Sequence, residues 1–262
     1  MAEWSIVDKV CLVTGANSGI GLETALELVK MGAAKVILAC RNMETGKEAV
    51  EYSKTKANLS SEEATAKIAL HHLDLSSLKS VRSFANEIIA SESHLDCLIA
   101  NAGVFPGREK ALTEDGFEMA FGTNHVGHFL LVKLLLDLMR KCDRARIVVV
   151  SSELYTKTAP NGFHIDDVNF DKEGSYGSLQ SYAQSKLANI LFVQELDRQL
   201  KEEQNERISV FSLHPGVIAT NLSRNLPGWC QFLFNWTWFV QKRTKFKIIA
   251  SNSSNVGASR RM

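Results

Sequence analysis

Tyr182 and Lys186 lie four residues apart in "SYAQSK", and in a helix residues i and i+4 are neighbours on one face. That spacing brings an ammonium within reach of a phenol, and a nearby cation favours the phenolate. The pair could therefore move a proton, because a phenol with an ordinary pKa of about 10 becomes a working acid or base once its surroundings shift it. The plainer reading is a solvated lysine beside a half-buried tyrosine, and for an isolated Y-x-x-x-K it is the better one. A second cluster, Gly15, Gly19 and Gly21 in "TGANSGIG", could hold an anion. Glycines there permit a tight turn and let backbone N–H groups approach a phosphate at the start of the next helix, whose dipole favours negative charge. The spacing is G-x-x-x-G-x-G, an imperfect match to the usual G-x-G-x-x-G dinucleotide fingerprint.

Both clusters need elements to place them. Short apolar, β-branched runs at 9–14, 35–40, 68–74, 95–101, 146–152 and 207–214 alternate with helical patterns at 19–31, 44–57, 77–91, 114–140 and 179–203. Nearly all-apolar strands alternating with helices predict a parallel sheet covered on both faces. The expected fold is α/β: one doubly wound Rossmann-type domain over 1–240, with six parallel strands and helices on both faces. Residues 241–262 read as a polar tail outside the sheet, since "QKRTKF" is basic and "ASNSSNVGASRRM" is poor in large apolar residues. A chain of 262 residues that is 45% hydrophobic can bury one substantial core.

The formal net charge of +1 gives no basic stripe for a phosphate backbone, which argues against nucleic acid as a partner. Cys11, Cys40, Cys97, Cys142 and Cys230 are scattered without C-x-x-C spacing and read as reduced thiols of a cytoplasmic protein. No run reaches the roughly 20 apolar residues of a spanning helix, and the N-terminus lacks a signal-peptide pattern. The aromatic run at 229–240 leaves peripheral membrane contact open, although a lid or pocket wall is the better reading. Homo-oligomerisation is equally open.

The departure from the usual fingerprint is a signature in itself: T-G-x-x-x-G-x-G followed far downstream by Y-x-x-x-K resembles the short-chain dehydrogenase/reductase family. Further family motifs stand in order, with "NAG" at Asn101–Gly103, an asparagine at Asn124 in "TNHVGHF", "VVVSS" ending at Ser152 and "HPG" at His214–Gly216. The run "VILACRN" and the thirty-residue separation of Ser152 from Tyr182 resemble the branch of retinol dehydrogenases and the WW-domain-containing oxidoreductase. The family usually has seven strands, so six would be a departure. The resemblance implies that Tyr182 is the general acid or base, that Lys186 lowers its pKa and holds the nicotinamide ribose, that Ser152 hydrogen-bonds the substrate oxygen, and that Asn124 holds a water linking Lys186 to solvent. It implies a nucleotide site built from Gly15, Asn17, Ser18, Gly19, Ile20, Gly21, Arg41, Asn42, Asp74, Leu75, Asn101, Ala102, Gly103, Tyr182, Lys186, Pro215, Gly216, Val217 and Thr220. Asp74 has a second reading, as the N-cap of the following helix.

NAD enzymes place an acid at the end of the second strand to bond the ribose 2′-hydroxyl. Here that position is neutral Cys40, followed by Arg41, which favours NADP(H), with NAD(H) as the alternative. The expected activity is hydride transfer between a nicotinamide and a carbonyl or alcohol of a small apolar substrate, of the retinoid, steroid or lipid-aldehyde class. The other reading is a catalytically weak, nucleotide-binding interaction protein, a truncated form of such an enzyme, because little chain follows Gly216. The loop 153–178 is expected to border the substrate. His125 and His128 lie three apart and could share a metal, but no third ligand is evident. They read as structural, and no metal is expected.

Overall fold

The structure is a computed structural model that describes residues 4–158, 163–216 and 247–251, the last as backbone. The chain runs β1 (Val10–Thr14), α1 (Gly19–Lys30), β2 (Lys35–Cys40), α2 (Met43–Lys56), α3 (Ser61–Lys67), β3 (Ile68–His72), α4 (Leu78–Ser91) and β4 (Cys97–Ala100). A short α5 (Met119–Phe121) leads through a π-helical turn (Gly122–Val126) into α6 (Gly127–Arg140), followed by β5 (Ala145–Val150), α7 (Ser178–Glu202), β6 (Ile208–His214) and β7 (Lys247–Ser251). The sheet order is β3-β2-β1-β4-β5-β6-β7. Six strands are parallel, as the apolar runs predict. The order reverses between β1 and β4, which is where a doubly wound sheet opens its ligand crevice.

The central strands are buried along their whole length, with all five residues of β1 and five of six in β2 inaccessible. Helices therefore cover both faces. On one face Leu12, Ile37, Leu98 and Ile147 pack with Val81, Phe84 and Ile88 of α4, Leu131 and Leu135 of α6, and Leu196 of α7. The other face gathers Cys11, Val13, Val36 and Leu38 against Ala25, Leu28 and Val29 of α1. Cys11, Cys40, Cys97 and Cys142 are buried free thiols.

Two expectations are corrected. The stretch 247–251 is in the sheet: it pairs antiparallel with β6, with His214 opposite Lys247 and Phe211 opposite Ser251. A strand ladder is made by backbone groups, so polar flanks do not prevent the segment from satisfying the open edge of β6. Residues 241–246 and 252–262 lie outside the described residues. The helix expected over 114–140 begins only at Met119 and is interrupted by the π-turn. The sequence reading also passed over α3, although Ser60 and Glu63 form a reciprocal capping box there.

Candidate active site

The carboxyl ends of β1 and β4 build one wall. Gly15 turns the chain with φ +65°, and a Cβ on Gly21 would stand 2.3 Å from the Gly15 carbonyl oxygen, so only glycine lets α1 approach β1 this closely. α1 starts after an extended Ser18 whose side chain makes no capping bond, and its first turn carries no acid. By contrast α2, α3 and α4 are capped by Asn42, Ser60 and Ser77. The first amides and the dipole of α1 are therefore uncapped by any side chain, an arrangement that suits an anion. The Thr14 hydroxyl accepts from the amides of Asn101 and Ala102, both at 2.9 Å, and Asn101 Nδ2 donates to the Thr14 carbonyl at 2.8 Å. The glycine turn and the Asn101–Gly103 turn are thereby one surface. These residues fit a dinucleotide pyrophosphate.

At the end of β2, Cys40 is fully buried. Its sulfur accepts from the Ala16 amide, and burial pushes the thiol up to about 11. Arg41 beside it is exposed, a cation on the rim with no carboxylate at the strand end. Asn42 is less available than expected, because its Oδ1 caps α2 by accepting from Glu44 N and Thr45 N at 2.9 and 3.1 Å. Asn17 Nδ2 donates to Thr45 Oγ1 at 2.9 Å, tying the glycine turn to α2. Asp74 is not the N-cap of α4, which is Ser77. Its Oδ1 accepts from Ser76 N and Oγ at 2.9 and 2.6 Å in a local Asx turn, and Leu75 after it is buried.

The opposite wall is α7. Tyr182 and Lys186 are 4% and 3% exposed, which rules out the solvated-pair reading. Lys186 Nζ donates to the Val150 carbonyl at 2.9 Å and lies 5.6 Å from the Tyr182 ring centre. The Tyr182 hydroxyl is hydrogen-bonded to Ser152, whose Oγ also accepts from Leu154 N at 3.2 Å. Phe105 packs on the Tyr182 ring with centroids 5.0 Å apart. Burial pushes the phenol up to about 12, and the Ser152 bond opposes it only in part. Burial also draws Lys186 down to about 8. Desolvation is thus the larger influence on the phenol, while the Lys186 ammonium is bonded to the Val150 carbonyl and not directly to the phenol.

Asn124 is fully buried in the π-turn, a distortion frequent at functional sites. Its Oδ1 accepts from Val104 N at 2.7 Å, and its Nδ2 donates to Val104 O and Ser185 Oγ, each at 3.0 Å. The side chain is thus committed to fastening the chain after Gly103 against α7. A Cβ on Gly103 would lie 3.2 Å from Asn124 Oδ1 and 3.5 Å from Lys186 Nζ, so the third residue of "NAG" must be small for the walls to meet.

A short-chain dehydrogenase family model matches residues 9–163. This chain belongs to the short-chain dehydrogenases. It is 43% identical to human retinol dehydrogenase 14 over 88% of this chain and 69% of that protein. It is 42% identical to the WW domain-containing oxidoreductase of Gallus gallus over 83% of this chain and 51% of that one. Against several such relatives the chain spans less than two thirds of their length. Among solved structures, an uncharacterized protein from Mycobacterium paratuberculosis matches with TM-score 0.68 and 33% identity, covering 93% of this chain and 82% of that one. A short-chain dehydrogenase from Escherichia coli CFT073 complexed with NADPH matches with TM-score 0.63 and 25% identity, covering 85% and 82%.

In this short-chain dehydrogenase, the structure brings together Ser152, Tyr182, Lys186 and Asn124 with the glycine turn and Asn101–Gly103. Pro215 is buried and Gly216 has φ +85° just beyond β6. Val217, Thr220 and the aromatic run 229–240 lie outside the described residues. Sequence reasoning missed three polar side chains. Ser151 Oγ donates to the Lys186 carbonyl at 2.8 Å, docking α7 on β5. Ser185 supports Asn124, and Gln184 accepts from His164 N at 3.1 Å and donates to Val168 O at 3.0 Å. His128, which the sequence reads as structural, bonds Thr14 Oγ1. The loop expected beside the substrate lines an open cavity of about 620 Å³ with Phe117, Phe121 and Ile165, and its walls do not include Tyr182. Lys110 fixes this loop through the Phe170 carbonyl and Asp171, and Tyr176 and Ser178 fix it through the Gly107 carbonyl.

Proposed function

We propose that the protein is an NADP(H)-dependent oxidoreductase that moves a hydride between nicotinamide and a carbonyl or alcohol carbon of an apolar substrate of the retinoid, steroid or lipid-aldehyde class. The observation that carries this reading is the buried Tyr182 hydroxyl bonded to Ser152, with Lys186 one turn further on and the uncapped start of α1 across the crevice. A bound nicotinamide supplies or accepts the hydride. In reduction, Tyr182 O–H protonates the carbonyl oxygen as the carbon gains its fourth substituent, and Ser152 donates to that oxygen. With a pKa pushed up to about 12, the phenol is fully protonated at neutral pH and ready to act as an acid. Lys186 holds the ribose and carries the charge that steadies the phenolate left behind. A water held by Asn124 and linking Lys186 to solvent would return the proton that restores it.

NADP(H) is supported by the exposed Arg41 and the absence of an acid at Cys40, and by the NADPH complex of the Escherichia coli CFT073 neighbour. The apolar substrate class is supported by the similarity to retinol dehydrogenases. A cytoplasmic location fits the buried reduced thiols, and no helix among the described residues is long and apolar enough to cross a membrane. Purified protein assayed with NADPH and NADH against retinal, steroid ketones and medium-chain aldehydes tests the proposal. NADPH-dependent loss of an aldehyde or ketone supports it, and tight nucleotide binding without turnover on any of them would favour a nucleotide-binding interaction protein.

A further inference from the structure

We propose that His128 is a positioning residue that couples the nucleotide turn to Asn124. The imidazole is 1% exposed. Its Nδ1 lies 3.0 Å from the Asn124 carbonyl and its Nε2 lies 2.8 Å from Thr14 Oγ1. A carbonyl only accepts, so Nδ1 carries the hydrogen, Nε2 is the acceptor and the Thr14 hydroxyl donates to it. That hydroxyl has one hydrogen and two lone pairs, and its lone pairs receive the amides of Asn101 and Ala102. The result is a chain of fixed polarity, from those amides through Thr14 and the neutral imidazole to the Asn124 carbonyl. Burial draws His128 down to about 4, with Lys186 and His125 acting in the same direction. A second ring proton would turn Nε2 towards Thr14 as a donor and break the chain.

A histidine needed only for bulk would not have both nitrogens matched to these partners. One partner belongs to the turn that receives the nucleotide, and the other to the residue whose side chain grips Val104 and Ser185. The Asn101–Val104 stretch is therefore held at both ends, by Thr14 and by Asn124, and His128 joins the two holds. The catalytic consequence rests on the oxidoreductase reading above; the structural coupling does not.

Two pairs of variants test it, with amide hydrogen exchange read at Asn101, Ala102 and Val104 alongside kcat and the nucleotide Kd. His128→Leu removes both bonds and should speed exchange at all three amides by about tenfold, equivalent to ~1.4 kcal/mol. It should lower kcat by a similar factor while nucleotide Kd moves by less than about threefold. His128→Asn keeps an N–H directed to the Asn124 carbonyl. It should restore slow exchange at Val104 and most of kcat, and leave Asn101 and Ala102 fast. Thr14→Val removes the acceptor of both amides and calibrates the exchange expected when that hold is lost outright, with Thr14→Ser restoring it, and His128→Asn keeps the coupling testable if His128→Leu does not fold. Unchanged exchange and kcat in folded His128→Leu would overturn the proposal, as would His128→Asn behaving like His128→Leu. If the wild-type chain binds NADPH but reduces no carbonyl, the oxidoreductase reading fails, and the exchange pattern still decides the coupling.

Discussion

The two walls of the crevice are built on different principles. On the β1–α1 side the site is backbone: glycines that allow close approach, and helix amides that no side chain caps. On the α7 side it is side chain, with Tyr182, Lys186, Ser152 and Asn124 each held by partners far away in sequence. A backbone wall is hard to change without losing the fold, whereas a side-chain wall can lose its chemistry and keep its shape.

The strongest way to sharpen that contrast is Tyr182→Phe, which removes only the transferable proton. Turnover should fall by roughly 10²–10⁴-fold, with nucleotide Kd nearly unchanged by titration calorimetry. Turnover within a few-fold of wild type would break the contrast. Lys186→Met should damage both turnover and nucleotide binding, since the proposed function gives the lysine a part in each. It also carries a pH signature. Lys186 is drawn from 10.5 to about 8 by burial, so between those values the unfolded chain binds more protons, and wild-type stability should rise with pH across that window by on the order of 3 kcal/mol. Tyr182, pushed up from 10.0 to about 12, acts in the opposite sense and should reverse the rise above pH 10. Denaturant midpoints from pH 7.5 to 10 should climb in wild type and lose most of that climb in Lys186→Met.

Next in size is the backbone wall's one side-chain decision, cofactor choice. Cys40→Asp with Arg41→Ile should move the ratio of kcat/KM from NADPH towards NADH by about 10- to 100-fold, the worth of a charge-assisted phosphate contact of about 1.5–3 kcal/mol. An unchanged ratio would place phosphate recognition elsewhere. The smallest effect is expected at Gln184→Ala, which frees His164 and Val168. It should raise substrate KM by a few-fold with kcat within about twofold, because it loosens the loop and leaves the neighbouring tyrosine in place. A kcat loss as large as that of Tyr182→Phe would show that loop and chemistry are one unit.

The same division explains what the sequence made legible. The glycine turn could be read because its spacing states a steric requirement, and the Tyr182–Lys186 pair because helical periodicity places it. The six parallel strands followed from apolar runs buried on both faces. The π-turn was illegible, since no residue type in "GTNHV" announces a change of hydrogen-bond register. The same holds for Ser151, Ser185 and His128, whose partners are fixed only once strands and helices are in place. Asn124 was found by resemblance, but its commitment to Val104 needed coordinates. The capping box of α3 was written in "SSEE" and was simply passed over. β7 was misjudged because side-chain polarity says little about a segment whose contribution is its backbone.

The pairing of His214 with Lys247 has an evolutionary consequence. The last residue of β6 thus stands opposite the first of β7, at the edge of the sheet. The entropy of closing a stretch between two fixed neighbours grows only with the logarithm of its length, about 0.6 kcal/mol per doubling. Length alone is therefore lightly penalised between these two strands, and a lineage can change how many residues join them at little cost in closure entropy.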